Sequence, residues 1–228
     1  MLDPKKAKGT GQRSEADMKA DLLKVCFLYF FQLMGVSSDD QNTLEILTRF
    51  LLAKNSNVGK QKELTKAQIS EVKIASDKLV FCSRGKTEQA HVRTFKRFCK
   101  VLTTNLIDMY PKNKTVLPAL LKEILNLSKS KLRLFRYSFT YIGMQFFKPV
   151  LDQAHVLQQL KSQFQKVSNA ADRVETIDKA LDYVLEQNAG LLAKELVRER
   201  ANDMQIFVRK CVFEQLQEFG ANELKLAC

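Results

Sequence analysis

Apolar side chains recur along this chain at the spacing of an α-helix, with turn residues between the periodic segments. The segment from Thr87 to Tyr110 carries one apolar stripe, which consists of Phe95, Phe98, Leu102, Leu106 and Met109. The segment from Lys129 to Lys148 carries another, which consists of Leu132, Phe135, Phe139, Ile142 and Phe146. Residues three and four apart share a face of a helix, so each stripe predicts an amphipathic helix. Read in this way, the whole chain predicts about nine helices and no strand.

Turn residues set the expected ends of these helices. Pro111 and Gly220 each end one helix, and the residues from Asn188 to Gly190 end another. Pro149 interrupts the helical pattern and predicts a kink or a break at that point. In the helix that Gly220 ends, the pattern places these side chains inward: Met204, Phe207, Val208, Cys211, Val212, Leu216 and Phe219.

Short connections between successive helices favour antiparallel pairs. Pairs of ~40 residues are typical of a HEAT-type α-solenoid, but no residue signature repeats at a fixed period, and a compact irregular bundle is the alternative. We predict an all-α fold with a HEAT-like helical-repeat arrangement. A single α-helical domain is expected over residues 17–220, preceded by a basic flexible arm at 1–16 and followed by a tail at 221–228. The arm reads equally well as a leader that is not native.

Composition narrows the classes of function. Lys and Arg number 37 against 25 Asp and Glu, and the formal net charge of +12 favours a polyanionic partner, either nucleic acid or an acidic protein. The five Cys lie far apart without a CxxC pair and only two His are present, so neither a zinc site nor a disulfide framework is expected. No glycine-rich phosphate loop, HExxH or GxSxG motif occurs, and we assign no catalytic residue, cofactor or metal. No apolar run approaches the ~18 residues of a membrane span, which predicts an intracellular protein without a membrane partner.

Two basic stripes supply the candidate binding residues. The first lies on the helix that ends before Pro111 and consists of Arg93, Lys96, Arg97 and Lys100. The second opens the following long segment and consists of Lys129, Lys131, Arg133 and Arg136, while a polar loop adds Lys60 and Lys62. Lys and Arg side chains position a protein on the phosphates of duplex DNA without reading its bases. We predict that these residues bind duplex DNA in this way.

Two other interpretations of the basic stripes stay open. A basic helix face is often simply solvated, with no ligand at all. A helical interaction module is the further alternative, in which the basic face docks an acidic segment of a partner protein and no nucleic acid is involved. Such capture needs an exposed apolar anchor, for which Tyr137 or Tyr141 is the candidate.

Four segments in chain order resemble the N-terminal region of the cohesin SA subunits, the stromal antigen or STAG family. The apolar helix that opens the family's core is similar to LLKVCFLYFFQLMG, and its basic and aromatic helix is similar to FKRFCKVLTTNLI. A more specific family pattern matches LSKSKLRLFRYSFTYIGMQFF at Phe135, Arg136, Thr140 and Met144, with departures at Tyr137 and Ser138. A later family helix resembles RERANDMQIFVRKCVFEQLQEFG, with Arg200, Asp203, Arg209 and Gly220 in register.

The resemblance implies a non-enzymatic HEAT-repeat subunit of cohesin that is associated with chromosomes in the nucleus. It implies that the basic surface holds double-stranded DNA and that the protein acts in sister-chromatid cohesion and chromosome organisation. Kleisin and other cohesin subunits are the implied protein partners, contacted mostly through regions beyond this chain, because family members are several times longer.

Overall fold

The computed structural model describes residues 86–130, 133–167 and 170–220, together with Asp21, Val25, Cys26 and Phe30 of an earlier helical segment. The chain divides into two units, Met1–Ser76 and Asp77–Cys228. In the first unit, Cys26 and Phe30 are buried. The arm at 1–16 and the tail at 221–228 lie outside the described residues, and the single domain over 17–220 stays a prediction.

Five helices make up the described part of the second unit. The first three are α1 (Lys86–Asp108), α2 (Val116–Ser128) and α3 (Arg133–Phe164), and the last is α5 (Ile206–Leu216). Between them, α4 spans 171–201 without interruption as Ala171–Asp182, Tyr183–Ala189, Gly190–Leu192, Ala193–Arg198 and Glu199–Ala201, of which the second and fourth have π-helical geometry. No strand occurs among the described residues, which confirms the all-α class there. The HEAT-like order of the helices stays a prediction.

The central helix of the unit is α3, which contacts each of the other four helices. Its side chains are buried on nearly every side between residues 135 and 151. Phe139, Phe146 and Phe147 are among the largest side chains that are fully buried. Burial of an aromatic side chain of this size stabilises a fold by about 1.5–3 kcal/mol, so α3 organises the packing of its neighbours.

Of the kink or break expected at Pro149, the break is wrong, because α3 runs through that residue, and the kink stays a prediction. A proline in a helix interior removes one hydrogen bond and costs about 3 kcal/mol. The flanking residues Phe147, Val150 and Leu151 are at most 1% exposed, and a break would withdraw them from the core. Their burial, at about 1.5–3 kcal/mol each, outweighs the cost of the proline.

The helix end expected at residues 188–190 is also wrong, since α4 continues to Ala201. The Asn188 side chain donates through Nδ2 to the Tyr183 carbonyl at 2.8 Å, which satisfies a main-chain acceptor inside the widened π-helical turn. Further along, Leu192 and Leu196 are fully buried and hold the continuing helix against the core. Because α3 and α4 are each continuous, the expectation of nine helices is not matched, and the described residues form five.

The buried face of α5 differs from the expected one. The side chains that it buries are Val208, Cys211 and Val212. Met204 and Phe207 were also expected inside, but 92% and 52% of their surfaces are exposed. The helix begins only at Ile206, after an extended Gln205 with φ −87° and ψ 119°, so Met204 precedes the helix altogether.

Gly143 lets α3 approach α4 and α2 closely. A Cβ atom at this position would lie 2.7 Å from Leu196 Cδ2 and 3.4 Å from Ile124 Cγ2. Both neighbours are fully buried, so they have little room to move. Gly143 therefore sets the spacing between α3 and the π-helical part of α4, Ala193–Arg198.

Candidate nucleic-acid interface

The first basic stripe lies on the face of α1 that points away from its buried side. The buried side includes Phe95, Cys99, Thr103, Leu106 and Ile107. Met109, which the apolar pattern places with them, is 49% exposed because α1 ends before it. Arg93, Arg97 and Lys100 are exposed and lie within about 10 Å of one another along the helix axis. Within the described part of the chain, no acidic side chain forms an ion pair with any of these three.

Two contacts with α3 fix the orientation of α1. The Phe95 ring stacks on the Tyr141 ring with 6.4 Å between the ring centres. The Gln153 side chain donates through Nε2 to Thr104 Oγ1 at 3.0 Å. Because both contacts hold the buried side of α1 against α3, the opposite face with its arginines is turned to solvent.

The remaining member of the first stripe, Lys96, is paired. Its Nζ donates to both oxygens of Glu218, at 2.8 Å for Oε1 and 2.7 Å for Oε2. The lysine side chain is 36% exposed and the glutamate 46%, so the pair lies at the surface. An exposed pair of this kind contributes little to stability, about 0–1 kcal/mol. The charge of Lys96 is nevertheless paired with that of Glu218.

Two cations of the second stripe are engaged with α4 and with the turn that follows it. Lys129 Nζ lies 2.8 Å from Glu195 Oε2 and 3.8 Å from Glu199 Oε2. Arg136 Nη1 lies 3.3 Å from Asp203 Oδ1. Arg133 belongs to α3, but its side chain lies outside the described residues, and so do Lys131, Lys60 and Lys62.

Arg136 is part of a larger arrangement, the Asp203 cluster, which comprises Arg136, Arg200, Asp203 and Arg209. The Asp203 side chain is 2% exposed, and its second oxygen accepts from Arg200 Nη1 at 2.7 Å. The carboxylate also accepts from the Gln205 main-chain N–H at 2.9 Å, and Arg209 Nη1 donates to the Asp203 carbonyl at 2.6 Å.

The Asp203 cluster joins three segments of the chain. Arg136 lies in the first turns of α3 and also donates through Nε to the Ser130 carbonyl, at 2.9 Å, in the turn after α2. Arg200 ends α4, and Asp203 lies in the turn before α5. Helical spacing did not reveal this cluster. The signal that could have found it is the shared set of Arg136, Arg200, Asp203 and Arg209 in the resemblance to the STAG family.

The chemistry available on the described residues is electrostatic. They include no group of His, Cys, Asp and Glu side chains that could hold a metal ion. Burial raises the pKa of the Cys26 thiol to about 12, so this thiol stays protonated at neutral pH. Burial likewise raises the pKa of the Tyr183 hydroxyl to about 12, and the Asn188 side chain opposes that rise. Of the helices described, none has both the length and the apolar character that crossing a membrane requires.

These features define an all-helical unit with a central buried helix, a surrounding layer of helices and an exposed basic stripe on α1. Residues 78–188 match the family model of the STAG domain. The resemblance seen in the sequence is thereby confirmed over these residues. No significant match to a curated protein is found.

The matched region covers the whole of α1, α2 and α3 and ends within α4. The first basic stripe and Arg136 therefore lie inside it, whereas Arg200, Asp203 and Arg209 follow it. A STAG domain is a structural, non-enzymatic domain, and it points to a cohesin-associated helical subunit that is found with chromosomes.

Proposed function

We propose that this protein binds duplex DNA through its phosphates, without reading the base sequence, as a cohesin-associated subunit in the nucleus. The observation that carries the proposal is the exposed group of Arg93, Arg97 and Lys100 on α1, with which no described acidic side chain pairs. Kleisin and other cohesin subunits are the protein partners that we propose on the basis of the STAG domain. Its role would then lie in sister-chromatid cohesion and chromosome organisation.

The spacing of the first stripe supports a polyanionic ligand. Its four cations stand three or four residues apart, and each such pair of like charges destabilises a helix by about 0.2–0.5 kcal/mol. Four neighbouring pairs amount to about 1–2 kcal/mol, which Glu218 offsets only at Lys96. A row of phosphates would offset the rest, because Lys and Arg release counterions from DNA when they bind it.

The other predicted DNA contacts contribute unequally in this proposal. Lys129 and Arg136 are held by carboxylates, so each would have to leave its present partner before it reached a phosphate. Arg136 is the more strongly held of the two, since its side chain is only 19% exposed. We propose supporting contacts from Lys131, Arg133, Lys60 and Lys62, whose side chains lie outside the described residues.

A salt titration tests the proposal directly. Fluorescence anisotropy of the full chain with two duplexes of unrelated sequence gives the dependence of log K on log salt. Three to four neutralised phosphates predict a slope of about −3 to −4, equal for both duplexes. A strong preference for one duplex would contradict the sequence-independent mechanism, and no binding to either at low salt would remove the proposal.

A triple variant, Arg93→Gln with Arg97→Gln and Lys100→Gln, locates the interface. We expect it to lower the magnitude of the salt slope by about 2.7 and the low-salt affinity by about tenfold or more. The matched control neutralises three exposed lysines outside α1, namely Lys122, Lys166 and Lys194. It removes the same total charge, so equal losses in both variants would show that net charge and not the α1 stripe drives binding.

The alternative of an acidic protein segment is less well supported, because the anchors suggested for it are buried. Tyr137 is 6% exposed and Tyr141 is 4% exposed, so neither side chain is available to a partner. A polyglutamate peptide with the charge of the duplex separates the two functions as a competitor. If the peptide displaced the protein from the labelled duplex as effectively as unlabelled DNA does, the function as a protein interaction module would be favoured.

A further inference from the structure

Carboxylates between residues 195 and 218 engage cations of both basic stripes. The pairs are Lys96 with Glu218, Lys129 with Glu195 and Glu199, and Arg136 with Asp203. Among these cations, Lys96 shares its helix face with Arg93, Arg97 and Lys100. Of these carboxylates, Glu218 is therefore the one that pairs with a cation on the proposed DNA-binding face of α1.

Glu218 occupies two of the three N–H donors that Lys96 could offer to a phosphate. Both of its oxygens accept from Lys96 Nζ, at 2.8 Å and 2.7 Å. The anionic oxygens of a phosphate bind an ammonium group through the same kind of charge-assisted hydrogen bond. Since the lysine and glutamate side chains are 36% and 46% exposed, a ligand can approach the pair.

Packing of the next residue holds Glu218 in place. The Phe219 ring centre lies 5.5 Å from that of Phe147, which is a buried residue of α3. Lys148 Nζ lies 5.8 Å from the centre of the same Phe219 ring. The segment that follows α5 is thus anchored on α3, so the position of Glu218 beside α1 does not depend on its charge alone.

We propose that Glu218 is an intramolecular competitor of phosphate at Lys96 and thereby lowers the affinity of the α1 stripe for duplex DNA. The proposal rests on the DNA-binding function proposed above. Lys96 either stays with Glu218 when DNA binds, and contributes no phosphate contact, or it gives up this pair first. In both cases the segment after α5 sets the affinity, and a change that moves Glu218 away from α1 raises it.

Glu218→Gln tests this competition because it removes the charge and keeps the shape of the side chain. Duplex binding by the full chain is followed by fluorescence anisotropy between about 50 and 200 mM salt. At low salt we expect binding up to about fivefold tighter, the range that an exposed ion pair covers. The salt slope should steepen by about 0.9, the contribution of one further phosphate contact, if Lys96 stays with Glu218 in the wild-type complex, and should stay unchanged if Lys96 gives up the pair when DNA binds.

Glu214→Gln is the matched control. It removes the same charge from α5, where Glu214 pairs with Lys210 at 3.6 Å and not with the α1 stripe. We expect it to change the affinity by less than half as much on a logarithmic scale as Glu218→Gln does. Thermal unfolding of each variant confirms that the fold is retained.

Lys96→Gln provides the decisive background. In that background Glu218→Gln should behave like Glu214→Gln, since the donor for which Glu218 competes is gone. Equal effects of the two glutamate variants in the wild-type chain would overturn the competition, and so would a Glu218→Gln effect that persists without Lys96. If neither the wild-type chain nor Glu218→Gln binds duplex DNA, the DNA-binding function itself fails, which is a separate outcome.

Discussion

Replacement of Asp203 by alanine removes the carboxylate that Arg136 and Arg200 share. The Asp203 side chain is 2% exposed, and the two arginine side chains are 19% and 12% exposed. The substitution therefore leaves two guanidinium groups that are largely withdrawn from water and have lost their common counter-charge. It also leaves the Gln205 main-chain N–H without the acceptor that it reaches at 2.9 Å.

The cost follows from these contacts. Removing one partner of a buried ion pair costs about 3–5 kcal/mol, because the remaining charge stays desolvated. Partial solvent access of both guanidinium groups lowers the cost of the lost ion pairs to about 2 kcal/mol, and the lost hydrogen bond adds about 1 kcal/mol. We expect a loss of about 3 kcal/mol in the free energy of unfolding, a large part of the 5–15 kcal/mol typical of a domain. Asp203→Asn keeps an acceptor for Gln205 and should cost about 2 kcal/mol.

Urea denaturation followed by circular dichroism measures these changes. Glu199→Gln is the matched control, since Glu199 pairs with Arg200 at 3.1 Å and with Lys129 at 3.8 Å but is 44% exposed. An exposed pair predicts a loss of no more than about 1 kcal/mol for this control. If Asp203→Ala costs no more than Glu199→Gln, the buried carboxylate does not hold the three segments together and the reasoning fails.

Tyr183 and Gly143 give two further predictions about stability. An unfolded tyrosine ionises near pH 10, but burial raises the pKa of Tyr183 to about 12 in the folded protein, so the folded state keeps a proton that the unfolded state releases. The free energy of unfolding should therefore fall by about 2–3 kcal/mol between pH 10 and 12, and Tyr183→Phe should remove that part of the fall. Urea denaturation of both proteins at each pH measures this, and an equal fall in the wild-type chain and in the variant would contradict it. In Gly143→Ala, the new Cβ would lie 2.7 Å from Leu196 Cδ2. Overpacking of this kind costs about 1–3 kcal/mol, whereas the better helix propensity of alanine gains about 1 kcal/mol, so we expect a lower melting temperature. A higher melting temperature would contradict this.

The helices that stand between clear turn signals could be predicted from sequence. The periodic segment from Thr87 to Tyr110 corresponds to α1 at Lys86–Asp108, because its pattern and Pro111 point to the same boundaries. Pro149 and Gly190 are ordinary stop signals, yet both lie inside continuous helices. Their local preference is overridden by burial of residues on either side, and contacts of that kind do not appear in the local pattern.

The candidate site was accessible to sequence reasoning only in part. Helical spacing places Arg93, Arg97 and Lys100 on one face, and the structure shows that face exposed. The partners of the other cations could not be inferred in this way, since Glu195 lies 66 residues from Lys129 and Glu218 lies 122 residues from Lys96. Spacing along one helix says which residues share a face, but it does not say which distant acid meets them.

Net charge is consequently a poor measure of the charge that a partner can use. The chain has a formal charge of +12, but Lys96, Lys129 and Arg136 are already engaged by carboxylates of the same unit. Arg136 belongs to the most specific part of the STAG resemblance, and its contacts assign it to the junction of α2, α3 and the turn before α5. A family match in a basic residue therefore marks structure at this position, whereas Arg93, Arg97 and Lys100 form an exposed basic group on α1, where helical spacing had placed them.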